Sequence, residues 1–183
     1  MRVQKIFLDF FAYVLYNIKM KIIDNFLNLD DFNTLKQTVI GRGFPWFYSK
    51  VLSTLPEGQY NYQFIHVFYT DFAPNSNYFD SILPPIIAKL DPKALIRVKA
   101  NLQPVSDKIV ENGMHSDVDD ATTAILYLNT NNGYTKFKTG EKIESLENRI
   151  VIFDSNLEHT GTTCTDAVNR LVLNINYVRN LGR

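Results

Sequence analysis

GMHSDVDDATTAILYLN, residues 113–129, places one histidine and three acids directly before a run with the β-branched and aromatic content of a strand. How this junction is read decides the fold. A histidine and an aspartate two positions apart at a strand entrance can form half of a metal site, whereas a solvated acidic loop demands no particular scaffold. The remaining histidines are His66 and His159. His66 sits in the aromatic, alternating stretch YNYQFIHVFYT (60–70), where a structural role is expected. His159 follows NRIVIFD (148–154), a second strand-like run, and is free to complete the set.

Composition suits a globular protein. The chain has 183 residues, 45% apolar, with 21% charged, enough for one domain with a substantial core. Nineteen basic residues balance nineteen acidic ones, which argues against a general nucleic-acid binder held by charge. One cysteine, Cys164, excludes an internal disulfide and a cysteine-based zinc cage. The first nineteen residues, MRVQKIFLDFFAYVLYNIK, read as an extension. Asp9 interrupts their apolar run, no small-residue cleavage site follows, and the run is too short to span a bilayer. A cytoplasmic location is the expectation.

Along the chain, DDFNTLKQTVI (30–40) carries Phe32, Leu35 and Val39 at helical spacing and stops at Gly41. NYFDSILPPIIAKL (77–90) reads as a helix split or kinked at Pro84–Pro85. From residue 95 the pattern changes to strands and turns: LIRVKANLQP, TTAILYLN, TKFKTG, EKIESLE, NRIVIFD and NRLVLNINYV. Asn131–Asn132–Gly133 is expected to be a turn. The expectation is therefore a single α+β, mainly β domain, with a helical and aromatic support region over 20–94 and a β-sandwich core over 95–179.

The chemistry lies in those strands. Two imidazoles and a carboxylate on neighbouring strand ends can occupy one face of an octahedron and leave three positions open, as in non-haem Fe(II) oxygenases. His115, Asp117 and His159 satisfy that count. Arg170 begins a strand in which Arg170, Val172, Asn174 and Asn176 share one face. A guanidinium there could clamp a carboxylate bidentately. Thr123, Ile125 and Tyr127 share a face of their own strand, so the Tyr127 hydroxyl could reach the same carboxylate. Asp119 and Asp120 do not continue into a calcium loop, because loop positions 6 and 12 are Thr122 and Leu128.

Taken in order, HSD (115–117), AILYLN (124–129), NGYTKF (132–137), NRIVIFDSNLEHTG (148–161) and RLVLNINY (170–177) resemble the 2-oxoglutarate/Fe(II)-dependent dioxygenases of the prolyl-4-hydroxylase-like branch. KIIDNFL and FPWFY add support upstream. The resemblance implies a double-stranded β-helix, a jelly-roll or cupin-like barrel with N-terminal helices packed on one sheet. It implies His115, Asp117 and His159 as Fe(II) ligands. Arg170, Tyr127 and Thr123 would lie toward the cosubstrate, with the first two on its 5-carboxylate. The keto acid would be converted with O₂ to succinate and CO₂ while a substrate C–H bond is oxidised. Where many relatives carry a tyrosine, this chain has Gln103, a candidate cosubstrate contact. Arg97, Lys99, Asn101, Asn174 and Asn176 are the candidate substrate residues.

Three functions compete. The first is hydroxylation of a peptidyl or small-molecule substrate. Oxidative demethylation of nucleic-acid bases is disfavoured, because those enzymes typically add a second arginine six positions after the clamp, and that position is Asn176. A cupin-like metal protein without oxygenase activity would leave Arg170 and Tyr127 unexplained. The sequence names neither the substrate nor the oligomeric state.

Overall fold

The computed structural model describes residues 20–50 and 61–180. The expectations for residues 1–19 and for Tyr60 lie outside the described residues. Eleven strands and three helices are formed among the described residues: β1 (Met20–Ile23), α1 (Leu29–Ile40), β2 (Phe47–Lys50), β3 (Tyr62–Thr70), β4 (Ala73–Pro74), α2 (Phe79–Ile82), α3 (Pro84–Leu90), β5 (Pro92–Pro104), β6 (Thr122–Tyr127), β7 (Asn131–Phe137), β8 (Lys142–Ser145), β9 (Ile150–Asp154), β10 (His159–Gly161) and β11 (Asn169–Arg179).

Local chemistry sets the helix limits. The Asn28 side chain accepts a hydrogen bond from the Asp31 amide at 2.9 Å, and Asp30 and Asp31 sit in the first turn, where acids complement the helix dipole. Phe32, Leu35 and Val39 form the buried stripe of α1. Pro84 and Pro85 separate α2 from α3 by starting the latter, the position at which proline's missing N–H does least harm.

The strands form two antiparallel sheets. The larger runs β1–β9–β6–β11–β5–β3–β2, with β4 beside β3, and the smaller runs β10–β7–β8. Isolated bridges Glu111–Thr162 and His115–His159 lay the 111–115 segment along β10, extending the smaller sheet by a short edge. Strand alternation then divides the side chains of the larger sheet. Val98 and Ala100 of β5, Ala124 and Leu126 of β6, and Leu171, Leu173 and Ile175 of β11 join the core that holds Phe32, Leu35, Val39 and Ile86 from the helices. Their opposite faces look into the barrel, where Ile125, Tyr127, Val151, Phe153 and Val172 pack with Phe137 and Ile143 of the smaller sheet. This is the expected double-stranded β-helix with helices on one sheet.

One local expectation changes, and one strand is additional. Asn131–Asn132–Gly133 is not the turn between strands; it lies within β7, at a register shift between Asn131 and Tyr134. The turn propensity is spent locally, because the Asn131 side chain accepts the Gly133 amide at 3.0 Å and the strand bulges there. Phe47–Lys50 is an additional edge strand whose burial pattern shows no alternation from which it could have been read. No helix among the described residues is long and apolar enough to cross a membrane.

Candidate metal centre and cosubstrate pocket

His115 and His159 are brought side by side by the bridge between their backbones, with reciprocal N–H···O bonds of 3.0 and 2.8 Å. Their rings lie 4.7 Å apart between centroids. Each Nδ1 faces the carbonyl two residues upstream: Gly113 O at 3.2 Å and Leu157 O at 2.9 Å. A carbonyl only accepts, so both bonds place the proton on Nδ1 and leave each Nε2 with its lone pair. Asp117 follows on the same segment, its Oδ2 at 3.8 Å from His159 Nε2. One ligand atom from each of the three residues lies within 4.8 Å of the others, close enough for a single ion to touch all three. Asp119 and Asp120 are exposed and outside this group.

The Asp117 carboxylate is held by the strands around it. Thr123 Oγ1 donates to Oδ2 at 2.8 Å, Asn176 Nδ2 at 3.1 Å and Asn174 Nδ2 at 3.3 Å, while Arg97 Nη2 donates to Oδ1 at 3.1 Å. Burial alone would push the carboxyl upward, but His159, the Thr123 bond, Arg97 and Asn174 outweigh it and hold it below the usual carboxylate range. For His159, burial dominates and lowers its basicity, so the neutral, metal-binding imidazole is favoured.

A cavity of about 440 Å³ opens beside the triad, within the range of small-ligand sites. Arg170 lines its closed end. Arg170 is 4% exposed, its Nε donates to Ser145 Oγ at 2.9 Å, and its Nη2 donates to Thr135 Oγ1 at 3.1 Å. Among the described residues no carboxylate lies within ion-pair distance of it. Burial draws Arg170 below its ordinary basicity, with Tyr127 and Cys164 opposing, yet a guanidinium stays charged in a protein. A buried cation without an anion is costly unless a ligand supplies one. Beside it, both polar atoms of the Gln103 side chain are buried without a partner. Two glycines clear the space: a Cβ on Gly133 would sit 2.7 Å from Arg170 Cδ, and one on Gly161 would sit 3.1 Å from Arg170 Nη1. This pocket fits an anion with further hydrogen-bonding atoms, and the donor set beside it suits a divalent iron ion.

The strands distribute the other candidates in two layers. Arg97, Lys99, Asn101 and Gln103 all line the cavity, as does Asn174. Tyr127, Thr123 and Asn176 lie behind the lining, fully buried. Tyr127 reaches the cavity through Thr135, to whose Oγ1 its hydroxyl donates at 2.8 Å. Thr123 and Asn176 reach it through Asp117. Sequence reading missed Thr135, Ser145, Gly133 and Gly161. Thr135 had a detectable signal, because NNGYTKF alternates with Gly133, Thr135 and Phe137 on its buried face. His66 has the structural surroundings expected of it, with Nδ1 facing Pro45 O and Nε2 facing Ser76 Oγ, both at 2.8 Å.

No protein-family model matches the sequence, and no curated protein matches it. Solved structures do. An oxidoreductase of the 2OG-Fe(II) oxygenase family from Burkholderia pseudomallei superposes with a TM-score of 0.69 at 14% identity, over 93% of this chain and 90% of its own. A prolyl hydroxylase from Trichoplax adhaerens, solved with a peptide fragment of the hypoxia inducible factor oxygen degradation domain, gives 0.59 at 15%, over 87% and 83%. The non-haem α-ketoglutarate-dependent epimerase SnoN of nogalamycin biosynthesis gives 0.60 at 12%, over 88% and 76%. The chain thus has the fold of the 2OG-Fe(II) oxygenases and carries a His–Asp–His facial triad within it.

Proposed function

We propose that this protein is an Fe(II)- and 2-oxoglutarate-dependent oxygenase that hydroxylates a C–H bond of a small-molecule or peptidyl substrate, with residues 95–179 as its catalytic core. The observation that carries the reading is the pairing, in one cavity, of the His115–Asp117–His159 triad with the buried, anion-free Arg170. A metal-binding module without oxygenase activity has no use for the second feature.

On this reading His115 Nε2, His159 Nε2 and one Asp117 oxygen hold Fe(II). Arg170 takes the far carboxylate of 2-oxoglutarate, with Thr135 accepting from both Arg170 and Tyr127 so that the guanidinium keeps one orientation. Gln103 hydrogen-bonds the cosubstrate from the adjacent strand, where it is the register partner of Arg170. When bound, iron and 2-oxoglutarate supply an O₂-derived oxidant, and the keto acid leaves as succinate and CO₂. The chain's own contribution is orientation. Gly113 O and Leu157 O fix the two imidazoles, and Thr123, Asn174, Asn176 and Arg97 fix the carboxylate, so the reacting groups meet in one geometry. The inward apolar residues Ile125 and Val172 line the same cavity and limit water beside the reacting carbon.

The test is spectroscopic and chemical. Without O₂, Fe(II) plus 2-oxoglutarate should produce a visible charge-transfer absorption, and admitting O₂ should release succinate. His159→Ala should abolish both. Absorption that persists unchanged in that variant removes the triad from its role.

A further inference from the structure

The cavity has a second end, and its chemistry differs from that of the Arg170 pocket. Along β5 the inward side chains run Gln103, Asn101, Lys99, Arg97. Lys99 is four residues from Gln103, which at about 3.4 Å per residue separates their Cα atoms by roughly 13 Å. The carbon chain of a five-carbon dicarboxylate held at Arg170 has four bonds of about 1.5 Å and spans roughly 5 Å, well short of that separation.

Charge does not balance at the Lys99 end. Asp117 is the only acid lining the cavity among the described residues, against Arg97, Lys99 and Arg170. Arg97 is engaged with Asp117 and, through Nε, with Asn176 Oδ1 at 3.0 Å. Lys99 makes no hydrogen bond or ion pair with the described residues. On the reading proposed above, Fe(II) and the 2-oxoglutarate dianion cancel each other, so among the described residues Arg97, Lys99 and Arg170 still face the single acid Asp117 in the loaded site. Burial, and then Arg97 beside it, draw the Lys99 ammonium below its ordinary basicity, with Asp117 opposing. Across the ladder, the register partner of Lys99 is Asn174, whose Oδ1 is buried without a donor. One unpartnered cation and one unpartnered acceptor therefore stand on paired strands facing the same space.

We infer that the second substrate is a small anionic molecule whose carboxylate or phosphate seats on Lys99, while an N–H or O–H of the same molecule donates to Asn174 Oδ1. Resting on the oxygenase reading, this narrows its substrate class: a neutral substrate would leave the Lys99 ammonium without a hydrogen-bonded or ion-paired partner among the described residues. The anion also sets orientation, since a molecule anchored at Lys99 and Asn174 presents its remaining carbons toward the triad beside Arg97.

Equilibrium dialysis of the protein loaded with Fe(II) and 2-oxoglutarate in the absence of O₂ tests this, using labelled acetate, inorganic phosphate and acetamide as probes. At least one anion should saturate a site while acetamide does not, and whichever anion binds tells a carboxylate source from a phosphate source. Lys99→Met should weaken that anion by about tenfold or more, the size of a lost charge-assisted hydrogen bond, and Lys99→Arg should restore it within a few-fold. The charge-transfer absorption and the 2-oxoglutarate requirement should stay unchanged in both variants. The inference is overturned if neither anion saturates, if Lys99→Met binds the anion as well as the wild type, or if that variant instead raises the 2-oxoglutarate requirement, which would give Lys99 to the cosubstrate. A wild type lacking the absorption breaks the oxygenase reading and the substrate assignment together; normal absorption without anion binding breaks only the assignment.

Discussion

The two ends of the cavity are built on opposite plans. At the Arg170 end the cation is interlocked, with Ser145 and Thr135 holding the guanidinium, Tyr127 holding Thr135 and two glycines shaping the space around it, while the Gln103 amide beside it is left open. At the Lys99 end, on the same two central strands, Lys99 makes no hydrogen bond or ion pair with the described residues, and Asn174, held by Asp117 through its amide nitrogen, presents an Oδ1 without a donor. The first plan suits one ligand of constant shape, because preorganised donors lose little entropy on binding. The second leaves recognition to whatever molecule arrives, which is how specificity varies on a shared scaffold.

Arg170→Ala should separate the ends most sharply. Removing a buried guanidinium that would make two charge-assisted bonds is expected to raise the 2-oxoglutarate requirement by on the order of 100-fold or more, with Fe(II) binding retained. Succinate formation titrated against 2-oxoglutarate checks it. An unchanged requirement would end the comparison, since the interlocked end would then hold nothing.

Asn176→Leu addresses the layer between the ends. Asn176 touches Asp117, Thr123 and Arg97 but not the cavity, so it is a positioning residue for the carboxylate. Its replacement should weaken Fe(II) binding by about 10- to 100-fold, as loss of an outer hydrogen bond to a ligand does, without altering anion binding at Lys99. Metal dialysis and the anion measurement together give the answer, and a changed anion affinity with normal metal binding would move Asn176 back to the substrate.

How far the sequence could be read follows the same division. The alternation of β5, β6 and β11 showed which residues share a face, and Arg97, Lys99, Asn101 and Gln103 all line the cavity because side-chain period is a local property. His115, Asp117 and His159 could be grouped because few histidines were available. What alternation could not show is depth. Tyr127 and Thr123 face inward as read, yet stand behind Thr135 and Asp117, since layer order depends on how closely the smaller sheet packs. The turn expected at Asn131–Gly133 failed for a related reason. The local asparagine–glycine geometry is present, but pairing of Asn131 with Ser145 and of Tyr134 with Glu144 on β8 carries the strand across it.

Gly133 measures how rigid the interlocked end is. An alanine there would bring its Cβ within 2.7 Å of both Arg170 Cδ and the Thr163 carbonyl oxygen. Because the second atom is backbone, β7 or the Thr163 segment must shift as well as the arginine. Gly133→Ala should destabilise the protein by about 1–3 kcal/mol and raise the 2-oxoglutarate requirement roughly tenfold. Thermal unfolding and the succinate titration report the two parts. Normal 2-oxoglutarate use at reduced stability would mean that the arginine end tolerates movement and resembles the open end more than its packing suggests.

The smallest effect concerns a histidine outside the cavity and serves to separate fold from site. Burial lowers the basicity of His66, with the Pro45 carbonyl opposing. In the unfolded chain it titrates near its ordinary value of about 6.5. Between that value and its lower folded one, the unfolded state binds more protons, so stability rises with pH. The contribution is complete above about pH 6.5 and is lost as pH falls through 6.5 toward the folded value. His159 adds a slope of the same sign, because burial lowers it too. Replacing His66 by glutamine, which cannot titrate, should therefore reduce but not remove the fall in melting temperature between pH 7.5 and 5.5. If the slope is unaltered, His66 does not set the acid sensitivity between these pH values, and His159 is the other buried histidine whose lowered basicity contributes to it.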